Sequence, residues 1–160
     1  MTTSLSDMIE VSTTIDASPE QVWELIGDPA RMGEWSPECH RVTWLGRLSA
    51  PAVGARFRGY NRIGRRRWAT VGTVSVYEPG HAVAWEVHAG PLPVAHWGYR
   101  IEPADGGCTV TETFEDHRGM LIRVVGSALR GVGDTEAHNR AGMAATLARV
   151  KAAAEAPAIV

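Results

Sequence analysis

A chain of 160 residues has the length of one ordinary domain and can bury a core without disulfides or metals. Its 44% hydrophobic and 21% charged residues exclude a disordered segment, and a formal net charge of −2 excludes any general pull toward nucleic acid or anionic membrane. Two cysteines, Cys39 and Cys108, are too few and too far apart for a disulfide framework or a zinc site, and each reads as a small buried residue. No apolar run approaches the roughly 18 residues that span a bilayer. The polar start, residues 1–7, lacks the charged-then-apolar order of a signal peptide. The expectation is a cytoplasmic protein without membrane insertion.

Residues 8–15 alternate and are β-branched, which predicts a strand. Ser18-Pro19-Glu20-Gln21 follows, with Ser18 as N-cap, Pro19 at the first helical position and Gln21 closing a capping box. Val22, Trp23, Leu25 and Ile26 give this short helix an apolar face. Asp28-Pro29 repeats the start signal for a second short helix ending near Trp35, and Ser36-Pro37 stops it. From His40 the period becomes two. Strands are predicted at 41–46, 55–63, 67–77, 82–89, 94–102 and 108–116, with Gly90-Pro91-Leu92-Pro93 read as a break and Asp105-Gly106-Gly107 as a hairpin turn. Short turns make the neighbours antiparallel.

After Gly119 the pattern is helical to about Glu155. One straight helix of that span would measure roughly 54 Å at 1.5 Å per residue, so Gly131-Val132-Gly133-Asp134 is read as a break with a fresh N-cap. The second half carries Asn139, Met143, Leu147, Val150 and Ala154 on one stripe. Its other positions are largely alanine, which permits close approach to a sheet.

The sequence also resembles a known superfamily. Ile15-Asp16-Ala17-Ser18-Pro19-Glu20-Gln21-Val22-Trp23, Asp28-Pro29-Ala30-Arg31 and Glu34-Trp35-Ser36-Pro37 are similar to the opening of START-like (SRPBCC) proteins. Val53-Gly54-Ala55-Arg56-Phe57-Arg58-Gly59, Tyr60-Asn61-Arg62, Arg66-Arg67-Trp68, Trp97-Gly98-Tyr99, Thr109-Val110-Thr111-Glu112 and the helix from Gly142-Met143 to Lys151 resemble its polyketide cyclase/dehydrase and lipid-transport branch. The resemblance covers nearly the whole chain and implies an α+β helix-grip fold. In that fold a curved seven-stranded antiparallel sheet wraps a long C-terminal helix, two short helices lie between strands 1 and 2, and a deep cavity separates sheet from helix. Residues 1–160 then form a single START-like ligand-binding domain, frayed at 1–6 and 156–160.

Strand parity selects the side chains facing that cavity. The inward sets are Phe57, Asn61 and Ile63; Trp68, Thr70, Val74 and Val76; Val83, Trp85 and Val87; Trp97, Tyr99 and Ile101; and Val110, Glu112 and Phe114. From these the candidate ligand-binding residues are Phe57, Asn61, Trp68, Thr70, Trp85, Trp97, Tyr99 and Glu112, with Met143 on the helix and Trp35 at the mouth. An aromatic lining with few polar groups suits a small-molecule site, although such stripes also simply fill cores.

Glu112 stands in an inward slot between Val110 and Phe114, where an unpaired carboxylate is costly. It must be paired, with Asn61 or Arg58 as candidates, or held protonated. Its functional reading is an acid/base or a polar anchor, and its bland one a structural hydrogen bond or a solvent-facing slot. Candidate catalytic groups are Glu112, Tyr99 and Asn61.

The histidines form no motif. His88 has the parity opposite to Trp85, and His138 four residues from Asp134 reads as a surface pair. No HExxH, Gly-x-Ser-x-Gly, Gly-rich phosphate loop or Cys-x-x-Cys occurs, so neither metal nor cofactor is expected. Arg56, Arg58, Arg62, Arg65, Arg66 and Arg67 form a basic hairpin read as a solvated face, not as a nucleic-acid site, with Arg58 and Tyr60 at the cavity rim only if that strand's parity is shifted.

Three functions remain open. The first is a carrier or binding protein for a small hydrophobic, cyclic or lipid-like molecule. The second is a polyketide aromatase/cyclase-type enzyme. The third is a protein-interaction or regulatory domain with a vestigial cavity. The chain is expected to be a monomer or homodimer.

Overall fold

A computed structural model describes residues 8–119, 131 and 135–157. The order is β1 (Met8–Ile15), α1 (Pro19–Ile26), a 3-10 turn (Pro29–Arg31) running into α2 (Met32–Trp35), β2 (Cys39–Leu45), β3 (Arg56–Ile63), β4 (Arg66–Glu78), β5 (Ala82–Ala89), β6 (Leu92–Ala104), β7 (Gly107–Asp116) and α3 (Thr135–Glu155). The expected helix between Gly119 and the break at 131–134 lies outside the described residues, apart from Gly131.

Within the described residues seven strands form one antiparallel sheet in the order β1-β7-β6-β5-β4-β3-β2. Tight turns explain the sequential neighbours, and β1 joins the far edge by pairing with β7. At the β6–β7 hairpin Gly106 takes φ +78°, a conformation glycine adopts without a Cβ clash. The start of α1 is closed as its sequence requires. The Ser18 side chain accepts from the Gln21 backbone N–H at 3.2 Å, and the Gln21 side chain accepts from the Ser18 N–H at 2.9 Å.

Parity holds along most strands and shifts where bulges insert a residue. A bulge between Val74 and Val76 pairs Val74 with Trp85 but Val76 with Ala84. Val76 therefore leaves the inward set, and Tyr77, opposite Val83, turns in against Trp23. The expected break at 90–93 is shorter than read. β6 begins at Leu92 and carries Pro93, with a second irregularity at Val87/His88 absorbing the mismatch.

Helix α3 packs along β1 and against α1 and α2. Its C-terminal half inserts Leu147 and Val150 into the main core with Ile15, Val22, Val83 and Val110. Its N-terminal half contributes Met143 to a smaller cluster with Ile9, Ala95 and Phe114. Asn139 and Thr146 are also buried, whereas Ala154 is half-buried. Among the described residues no helix is long and apolar enough to cross a membrane. The architecture is a helix-grip fold.

Candidate functional site: an aromatic cavity between sheet and helix

The concave face of β3–β7 does not close onto the N-terminal half of α3. A cavity of about 600 Å³ lies between them, within the size range of small-molecule sites. The space follows from side-chain size. Ala141, Gly142 and Ala145 line the helix side, and Gly72 lines the sheet side under the ring of Phe57. A Cβ at Gly72 would stand 2.3 Å from that ring.

Phe57, Asn61, Trp68, Thr70, Trp85, Trp97, Tyr99, Glu112 and Met143 all stand on the wall of this cavity. The rings interlock across strands. Phe57 meets Trp85 at 6.0 Å between centroids, Trp85 meets Tyr99 at 6.0 Å, and Trp97 meets Phe114 at 4.6 Å. Asn61 sits loosely, its amide 3.4 Å from the Thr70 hydroxyl and 3.5 Å from the Gly59 carbonyl.

Trp35 is the exception, because it is not at the mouth. Its indole N–H donates to the Leu25 carbonyl at 2.9 Å, and the Arg31 guanidinium lies 5.5 Å from its ring. It occupies a small recess behind Trp85 and Tyr99, while Met32, three residues earlier on the same turn, reaches the cavity. A helix of one turn offers no periodicity from which this rotation could be read.

Glu112 is 4% exposed and Tyr99 8%. The Tyr99 hydroxyl donates to Glu112 Oε1 at 3.3 Å, and Glu112 Oε2 is buried with no partner. Neither Asn61 nor Arg58 fills the expected role: Asn61 turns to Thr70, and Arg58 is exposed on the opposite face. Burial pushes the Glu112 carboxyl up to about 8, opposed by the Tyr99 hydrogen bond, so the group is mostly a neutral acid at pH 7. Burial likewise raises Tyr99 well above its ordinary value, with the Glu112 carboxyl adding to the effect. The buried Cys39 thiol on the same wall is pushed up to about 11, chiefly by burial. It is an inert thiol at neutral pH.

Most of the charged side chains at the cavity are already matched. Arg118 forks onto Asp116 at 3.1 and 2.9 Å. His138 pairs with Glu38 at 3.1 Å, linking α3 to the segment before β2. The expected partner of His138, Asp134, lies outside the described residues. Arg118, Glu38 and His138, like the buried Asn139, line the wall and escaped the reading by strand parity, because they sit on loops and on the helix. His88 is off the wall. Tyr60 is on the convex face with the Arg41 guanidinium 4.1 Å over its ring, so neither it nor Arg58 forms a rim. Of the arginine hairpin only Arg62 reaches the cavity edge. Among the described residues no group of three or more ligating side chains could hold a metal ion.

The polyketide-cyclase-like protein of Corynebacterium glutamicum is 30% identical, with 90% of this chain and 88% of that one covered and a TM-score of 0.61. Ginseng major latex-like protein 151 from Panax ginseng shares the fold at 12% identity, covering 93% and 97% with a TM-score of 0.67. So does the Aha1 dimer of Colwellia psychrerythraea at 17% identity, covering 92% and 96% with a TM-score of 0.64. No curated protein matches the sequence. The family model described as polyketide cyclase/dehydrase and lipid transport matches residues 8–155. The chain thus belongs to the polyketide cyclase/dehydrase and lipid-transport family, a membership that supports a ligand-binding domain.

Proposed function

We propose that this protein binds a small hydrophobic molecule, cyclic or lipid-like, in the cavity between sheet and helix, and acts as a carrier or binding protein. The observation that carries the reading is a cavity of about 600 Å³ walled by Phe57, Trp68, Trp85, Trp97 and Phe114, with Arg118 and His138 held by Asp116 and Glu38. A space of that size also weighs against a vestigial cavity. Family membership agrees with the reading without choosing between carriage and turnover.

The test is titration with N-phenyl-1-naphthylamine, a neutral fluorescent probe. It should bind at one site, quench the tryptophan emission and be displaced by fatty acids or polycyclic aromatics. Trp97→Ala should weaken it. A folded protein that takes up no probe would overturn the proposal.

A second reading, a polyketide aromatase/cyclase-type enzyme, draws on one observation: the buried Tyr99–Glu112 pair at the cavity wall. It requires turnover of a polyketide-like substrate that Glu112→Gln abolishes while binding persists.

A further inference from the structure

Glu112, on the cavity wall, carries a carboxyl whose two oxygens are unequally placed. Oε1 accepts the Tyr99 hydroxyl at 3.3 Å, whereas Oε2 is buried and has no partner, on a residue that belongs to the cavity wall. A buried polar atom without a partner costs about 1–3 kcal/mol. Folded proteins retain few such atoms, and one carried by a residue of a cavity wall is within reach of a partner on a bound molecule after a small side-chain rotation. Which kind of ligand atom would match it depends on where the proton sits. An ionised carboxylate accepts at both oxygens, while a neutral acid accepts at one and donates from the other. Oε1 is already the accepting oxygen, which leaves Oε2 as the hydroxyl.

We propose, on the reading of this cavity as a binding site for a hydrophobic molecule, that it selects ligands carrying an uncharged acceptor oxygen, such as a ketone, quinone or lactone carbonyl, held by a hydrogen bond from Glu112 Oε2.

The surroundings agree. Burial raises the Glu112 carboxyl to about 8, so it remains a donor at neutral pH. No cation among the described residues acts on its ionised form: Arg118 is committed to Asp116, His138 to Glu38, and Arg62 stands at the cavity edge. Two further groups on the wall, Tyr99 from β6 and Cys39 from β2, are both pushed upward and neutral in the same range. A ligand carboxylate beside Glu112 would meet no positive charge acting there, since Arg62 lies at the cavity edge. Its desolvation would go uncompensated.

Three probes of one shape separate the alternatives: fluorene, 9-fluorenone and 9-aminofluorene, the last cationic at neutral pH. Binding is measured by calorimetry at about pH 6 and about pH 9.5 on the whole chain. At the lower pH fluorenone should bind roughly three- to tenfold more tightly than fluorene, as one net hydrogen bond requires. At the higher pH that preference should vanish, because the ionised carboxyl has lost its donor. In Glu112→Gln the amide N–H still donates into the cavity, so the preference should persist at the higher pH. His138 and Glu38 are common to both proteins, so the difference between them isolates Glu112.

Equal binding of fluorene and fluorenone at pH 6 would overturn the inference and leave the binding reading intact. Tightest binding of 9-aminofluorene at about pH 6 would overturn it in favour of an ionised Glu112 pairing with a cation. Failure of all three to bind the folded protein would overturn the binding reading and this inference together. The wild-type comparison across pH decides the matter even if the glutamine variant does not fold.

Discussion

Glu112 couples the cavity to the stability of the whole chain through a single proton. Its folded value of about 8 stands above the ordinary carboxylate value of 4.5. Between these limits the native state holds a proton that the unfolded chain releases. By linkage the associated stability is full below about pH 4.5 and is lost as pH rises through about 8. The slope cannot exceed about 1.4 kcal/mol per pH unit for one group. Wild type should therefore lose stability relative to Glu112→Gln between about pH 5.5 and 7.5, by no more than that slope. Urea denaturation of both proteins across the range reads the difference. Parallel curves would mean that the carboxyl is solvated or paired in solution.

At the scale of elements, the sheet makes room for its rings by omitting side chains next to them. Phe57 on β3 lies over Gly72, its direct partner on β4. Because the Cβ of Gly72→Ala would come within 2.3 Å of the ring, Phe57 must swing into the cavity or the strands must part. Overpacking of this kind costs about 1–3 kcal/mol. The variant should show that loss in chemical denaturation together with weaker probe binding. Retained stability and affinity would show that the ring can move without consequence.

The same element scale shows what the sequence could and could not convey. Alternation placed Phe57, Trp85, Trp97, Tyr99 and Glu112 on the inner face because a regular strand has a fixed period of two. It misplaced Val76 because the bulge beside it adds one residue, which no side-chain pattern announces. Pro93 read as a break, yet it sits within β6 beside the irregularity at Val87/His88, where the strict ladder is already interrupted. Trp35 and Met32 share a single helical turn, too short for periodicity to say which one faces the cavity. The partner of Glu112 was illegible for a different reason. Tyr99 lies directly opposite it across the β6–β7 pair, a register that the hairpin sets and composition does not.

Over the whole molecule, α3 divides its work along its length. Leu147 and Val150 fill the core, whereas Ala141, Gly142 and Ala145, earlier on the helix, line the cavity and leave it open. A sheet this curved, gripped by a helix with bulky residues throughout, would bury more apolar surface and hold no cavity. The small residues thus keep space at the expense of packing, an exchange common where a protein must admit a ligand. Ala145→Leu tests the idea by extending an apolar side chain into that space. Each added buried methylene stabilises by about 0.8 kcal/mol where it meets no clash. The variant should therefore unfold at higher urea concentration, by about 1–2 kcal/mol after the cost of ordering the side chain. It should also lose most of its affinity for N-phenyl-1-naphthylamine. Greater stability with undiminished affinity would place the probe elsewhere on the molecule. Lower stability would mean that the cavity is too rigid or too wet to accept the added carbons.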